Sequence, residues 1–173
     1  MALIHVSEQP NIARFEPRPP AGQSGLGEDV VWAVDEEHPQ NYLLPRECPR
    51  VTFYALPASD AGDVERLMRQ TSSRFVVAIE SGWLPTVRAT RLYVYRLPPQ
   101  GFAPLDVGAG YYVCRMTVAP LEVVEVGDAL AALVARDVEL RVTPSPWKLR
   151  GAVVASTLQY SCIRMRNARP REG

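Results

Sequence analysis

Cysteine and histidine are scarce in this chain, with three of the first and two of the second in 173 residues. Cys48, Cys114 and Cys162 are odd in number, far apart and without a C-x-x-C pair, which argues against a disulfide framework and against a zinc site. Each reads most simply as a small apolar core residue. A nucleophilic cysteine would need a base from His5 or His38, and no spacing supplies one. Neither histidine is read as sitting in a carboxylate cluster, so no metal site is expected. Long apolar runs are also missing. None approaches the roughly 18 residues of a membrane span, and no basic region leads into an apolar core at the N-terminus. The expectation is a cytoplasmic protein with no membrane partner.

Charge of one sign is not in excess either. Nineteen Lys and Arg balance nineteen Asp and Glu, so no global field draws the chain to nucleic acid. The local exception is the tail, where Arg164, Arg166, Arg169 and Arg171 read as a solvated terminus or, more sharply, as a phosphate or RNA contact. Several familiar motifs are absent: the phosphate loop with its lysine, the dinucleotide glycine fingerprint after a strand, H-E-x-x-H, and a nucleophile elbow around Ser7 or Ser81. Gly22-Gln23-Ser24-Gly25-Leu26-Gly27 is glycine-rich but fits no phosphate loop.

What the chain does have is punctuation, in sixteen prolines. Residues 2–7 read as a strand and 11–15 as one helical turn. Residues 30–34, apolar on both faces, read as a central strand. A short helix is expected over 36–44, a strand over 50–55, and a helix over 60–70 capped by Asp60. Strands follow at 75–80 and 91–96, then a loop over 98–110 and one or two strands within 111–126. Asp128 caps a helix whose stripe is Leu130, Leu133 and Val134. A strand at 138–142 and a helix opening at Ser145-Pro146 and running towards Ile163 complete the reading. The class is α+β, in a single domain over 1–173.

The residues able to carry chemistry are His5, Ser7, Arg18, Trp32, Tyr42, Arg46, Glu80, Tyr111, Tyr112 and Arg115. His5 and Ser7 share one face of their strand, offering an imidazole and a hydroxyl to one ligand edge such as a ribose diol. His5 reads equally as a buried histidine bonded to backbone, and Ser7 as a cap for the following turn. Tyr42 can stack on a flat heterocycle or pack in the core. Glu80 ends a buried strand, where a carboxylate is costly unless paired. It reads as a stabiliser of a developing cation or as a partner of Arg88 or Arg91. Tyr111-Tyr112 follow a glycine loop and read as closing a pocket, with Arg115 aimed at a phosphate, or equally as edge-strand surface.

In order along the chain, several segments resemble the ADP-ribosyltransferase-like superfamily, and its RNA 2'-phosphotransferase branch in particular. They are Ile4-His5-Val6-Ser7, Val31-Trp32-Ala33-Val34-Asp35, Val76-Val77-Ala78-Ile79-Glu80, and Tyr111-Tyr112-Val113 with Val118-Ala119-Pro120. The chain also resembles a bacterial family without an assigned activity, through His-Val-Ser, Asn41-Tyr42-Leu43-Leu44-Pro45-Arg46 and the segment from Ile163 to Pro170. The superfamily resemblance implies a central split, mostly antiparallel sheet over about 2–126, with a C-terminal helical extension over about 127–173. It implies NAD or a related nucleotide as ligand. His5 would hold ribose hydroxyls and Tyr42 would stand near the nicotinamide. It implies transfer of ADP-ribose or action on a 2'-phosphate, with His5, Tyr42 and Glu80 as the catalytic set. Ser7, Arg18, Trp32, Arg46, Tyr112 and Arg115 would join His5 and Tyr42 in binding. The glutamate that stabilises positive charge in many such transferases has no counterpart at 111–115, so that role is vacant or moved to Glu80. The alternative is a non-catalytic binding or interaction protein that keeps the fold.

Overall fold

The computed structural model describes residues 2–20 and 26–171; the glycine-rich segment at 22–27 lies outside them up to Gly25. Among the described residues the strands are β1 (Leu3–Ser7), β2 (Val31–Asp35), β3 (Arg50–Tyr54), β4 (Phe75–Glu80), β5 (Leu92–Leu97), β6 (Phe102–Asp106), β7 (Tyr111–Cys114), β8 (Glu122–Val126), β9 (Val138–Thr143) and β10 (Gln159–Ile163). The helices are α1 (Ala61–Met68), α2 (Leu84–Ala89), α3 (Ala129–Val134) and α4 (Trp147–Val154). The strands form two sheets. One is six-stranded in the order β6-β7-β2-β1-β5-β8, and the other is four-stranded in the order β10-β3-β4-β9. Every pairing is antiparallel except β4 with β9. The class is α+β with mostly antiparallel sheets. The sheets fall in two compact units that interleave in sequence, Met1–Pro39 with Arg91–Val126 and Gln40–Thr90 with Gly127–Gly173.

In the first unit β2 is central, as its apolar faces require, flanked by β1 and β7. Leu3, Val31, Ala33, Tyr95, Leu97 and Cys114 make one apolar cluster, closed by Phe15 and Val118. The segment before Phe15 is not the helical turn expected at 11–15. Asn11 has φ 60°, Tyr95 Oη donates to the Gln9 carbonyl at 2.7 Å and accepts from the Ile12 amide at 3.1 Å. Phe15 then exchanges backbone hydrogen bonds with Val118. Tertiary partners for the backbone, and a buried phenyl ring, outweigh a marginal one-turn helix.

In the second unit β3 and β4 are buried along their whole length. Val51, Phe53, Val76 and Ala78 pack with Leu67, Met68, Val153 and Leu158. Helix α1 starts where the sequence places it, with the Asp60 carboxylate accepting from the Gly62 and Asp63 amides at 2.9 and 3.1 Å. Three readings change here. Helix α4 stops at Val154, and residues 159–163, expected as helix, pair with β3 instead. Those residues alternate in polarity and satisfy the outer edge of a buried strand, which a helix could not. In α3, Leu133 is fully buried but Val134 is 66% exposed, so the stripe is narrower than expected. In the first unit, the loop expected at 98–110 contains β6, an edge strand exposed at four of its five positions.

Asp63 ties the start of α1 to the far end of the unit. Its carboxylate accepts from Arg66 at 2.7 Å and from the Thr157 amide and hydroxyl at 2.7 and 2.9 Å. The Arg66 contact, then the Thr157 bonds, hold its pKa below the ordinary 3.8. A carboxylate lowered in the folded state adds stability that is fully present above 3.8 and fades as pH falls through the lower folded value. Asp63→Asn should therefore lower Tm at neutral pH, with the gap from the parent closing in strongly acid solution. A pH-independent gap in a series of melting curves would show that Asp63 acts through packing alone.

Candidate functional site

The register of the six-stranded sheet sets the surroundings of His5, which lies opposite Tyr95, with Ser7 opposite Tyr93. The two share a face, as the strand period requires. His5 Nδ1 donates to the Trp32 carbonyl at 2.9 Å. A carbonyl can only accept, so this bond fixes the proton on Nδ1 and orients the ring. The imidazole also lies 4.7 Å from the Phe15 ring. Ser7 Oγ accepts from the Gln9 amide at 3.1 Å, capping the turn that follows. Trp32 meets Tyr111 edge to face at 6.0 Å, whereas Tyr112 lies against the buried cluster that holds Leu3 and Tyr95.

The arginines proposed for phosphates are less available in this unit. Arg18 bridges Val30 through its backbone, with its side chain exposed. Arg115 is ion-paired with Glu28. The first unit thus gathers His5, Ser7 and Tyr112 on one sheet face and leaves Arg18 and Arg115 on the surface.

One pair in this unit was missed. Asp35 Oδ1 accepts from His38 Nδ1 at 2.7 Å. The same oxygen accepts from the Glu37 and His38 amides at 3.1 and 3.0 Å. The expected helix over 36–44 is replaced by this turn and a 3-10 turn at Pro39–Asn41. His38 is 6% exposed. Gly110 closes the pair: its carbonyl accepts the Asp35 amide, and with φ +72° it brings backbone against the imidazole where no side chain fits.

In the second unit the loop carrying Tyr42 and Arg46 is organised by Arg50. Its guanidinium is 2% exposed and donates to the carbonyls of Asn41, Pro45 and Cys48, each at 2.9 Å. A fork of fixed donors matches three converging carbonyls in a way no other side chain can. Tyr42 is half-buried and Arg46 exposed. Cys48 is fully buried, and burial pushes its thiol up to about 11, which suits a core residue and not a nucleophile. Glu80 is 3% exposed. Its partner is neither Arg88 nor Arg91 but Arg169, whose backbone amide donates at 2.9 Å and whose Nε lies 3.4 Å away.

For NAD the chemistry of the donor set can be compared unit by unit. A nicotinamide carboxamide needs one acceptor and one donor. Gln40 Nε2 and Asn41 Oδ1, on the two residues before Tyr42, are buried and have no hydrogen-bond partner within the described protein. Buried polar atoms are ordinarily paired, so this amide couple fits such a group in kind. In the first unit His5, its tautomer fixed, fits a ribose hydroxyl. No curated protein and no solved structure matches the chain. The model of a family of unknown function (DUF6886) matches residues 4–168, and the chain belongs to that family.

Proposed function

We propose that this protein is an ADP-ribosyltransferase-like domain that binds NAD or a related nucleotide, with binding and not group transfer as its principal activity. The observation that carries the reading is His5. Its Nδ1–H is committed to the Trp32 carbonyl, which presets the ring for one role, and Ser7 follows on the same face. The arrangement of the strands in two mostly antiparallel sheets supports the split-sheet type that the sequence resemblance implies. NAD, when bound, would supply a ribose carrying a nicotinamide leaving group, and His5 and Ser7 in the first unit would hold its hydroxyls. Glu80 supports binding more than transfer. Its charge is offset by Arg169, so it has little field left to stabilise a developing cation.

A second reading, transfer of ADP-ribose or action on a 2'-phosphate, is favoured by Asp35 and His38. A carboxylate holding an imidazole by Nδ1 is a proton-handling unit. Thermal shift with NAD and with ADP-ribose tests the first reading. One-site linkage predicts about 2.7 kcal/mol of stabilisation at a hundredfold excess over the dissociation constant, and His5→Ala should lose most of it while remaining folded. No shift with either compound at millimolar concentration would sink the reading. Release of nicotinamide by the parent, abolished in His38→Gln, would favour transfer over binding alone.

A further inference from the structure

Although the chain is neutral overall, residues 140–171 contain Arg141, Lys148, Arg150, Arg164, Arg166, Arg169 and Arg171 and no aspartate or glutamate. Three carboxylates offset part of this charge: Glu139 pairs with Arg141, Glu47 lies beside Arg164 and Arg166, and Glu80 pairs with Arg169. The remainder gathers at the start of α4. Arg171 lies over the Trp147 ring at 4.7 Å and Arg150 at 5.9 Å. Lys148, the one lysine of the chain, is exposed beside them. Among the described residues no carboxylate pairs with Lys148, Arg150 or Arg171.

Trp147, Lys148 and Arg171 line a groove. Its volume is about 440 Å³, and its walls include Thr143, Ser145, Trp147, Lys148 and Arg171. That volume lies within the range of roughly 300–1,000 Å³ usual for small-ligand sites. The Trp147 indole N–H donates to the Arg169 carbonyl at 2.6 Å, so the C-terminal segment is pinned across the start of the helix and Arg171 is delivered to the ring. A hydrogen-bonded indole with guanidinium and ammonium groups around it, and hydroxyls at the rim, is the chemistry that receives phosphodiesters and stacks bases. Arg169, whose carbonyl accepts the indole N–H, also keeps 69% of its side chain exposed, which suits a chain of phosphates better than a single anion.

We infer that this groove in the second unit is a binding site for single-stranded nucleic acid, with Lys148 and Arg171 meeting phosphates and Trp147 receiving a base. The tail contact anticipated at Arg164 to Arg171 thereby moves. Arg164 and Arg166 face Glu47, and the contact centres on α4. The site is independent of His5 and of the nucleotide reading above.

The test uses the full chain and a fluorescent single strand of about 12 nucleotides, within the usual site sizes of single-strand binders. Binding followed by anisotropy should weaken steeply with salt, and Lys148→Glu or Arg171→Glu should weaken it about tenfold or more. In Lys148→Ala the slope of log affinity against log salt should shrink by about 0.7. An amine-reactive reagent gives a second readout that needs no variant, since the strand should shield Lys148 from acylation in peptide mapping. The inference is overturned if folded protein ignores the strand at low salt, or if both charge reversals bind like the parent. It is equally overturned if an acidic peptide or a mononucleotide of matched charge competes as well as the strand.

Discussion

Arg50→Leu should lower the stability of the second unit by about 4 kcal/mol, which for a chain of this size is roughly 10 °C in Tm. The leucine matches much of the arginine stem in volume, so cavity formation is not the main cost. The cost lies in the carbonyls of Asn41, Pro45 and Cys48, which lose the guanidinium together at buried residues. Each buried acceptor without a partner costs about 1–3 kcal/mol; Pro45 keeps the Cys48 amide, and the other two are partly compensated when the loop loosens to reach water. Arg50→Lys should recover only a fraction, because one ammonium cannot reproduce the fork. Urea midpoints for the three proteins decide the matter. A loss below about 1 kcal/mol in Arg50→Leu would mean the loop holds its shape by packing alone.

The second large effect is expected at Gly110→Ala, at about 3 kcal/mol. Two costs combine. The φ of +72° places an L-residue in the left-handed region, and an added Cβ would sit 2.5 Å from His38 Nδ1 and 2.8 Å from Asp35 Oδ1. Asp35 yields least, because its carboxylate is fixed by two backbone amides as well as by the imidazole. The substitution should therefore displace His38, visible as a change in its imidazole resonances, as well as lower Tm. Gly127→Ala is the control, since nothing lies within 4 Å of its added Cβ. Equal losses at the two positions would locate the cost in backbone entropy and not in the Asp35–His38 contact.

The sequence carries its own account of why Arg50 and Gly110 were harder to see than β2 or α1. A strand such as Val31–Asp35 declares itself locally through a continuous apolar run, and α1 does so through Asp60 followed by Val64, Leu67 and Met68. His5 and Ser7 share a face because the strand period is two, which needs no tertiary information. Arg50 reads as the polar first residue of a strand until the loop before it folds back and turns its carbonyls inward. The signal was present in the pairing of Pro45 and Pro49 around Cys48, which forces a tight return just ahead of the arginine. Asp35 and His38 stand three residues apart, a legible spacing. What joins them is the approach of Gly110 from a distant turn, and no local pattern encodes that. Glu80 shows the same limit: a buried carboxylate needs a cation, yet its choice of Arg169 over Arg88 or Arg91 is made by tertiary structure. Strands β6 and β10 escaped notice because edge strands have one unpaired side and mixed polarity, leaving no apolar period to count.

The interleaving of the two units has a consequence for the order in which the chain can fold as it is made. The six-stranded sheet needs β1 and β2 together with β5 to β8, so it can close once the segment through Val126 has left the ribosome. The four-stranded sheet begins earlier, with the β3–β4 hairpin and α1, but its flanking strands β9 and β10 are synthesised last. During that interval β4, apolar at five of its six positions, has no parallel partner, and β3 has an open edge where β10 will pair. Domains generally fold in order of synthesis; here the first unit is finished while the second is still half-built. The vulnerable species is thus a nascent chain stalled between Val126 and Val138, with its most hydrophobic hairpin exposed on both sides.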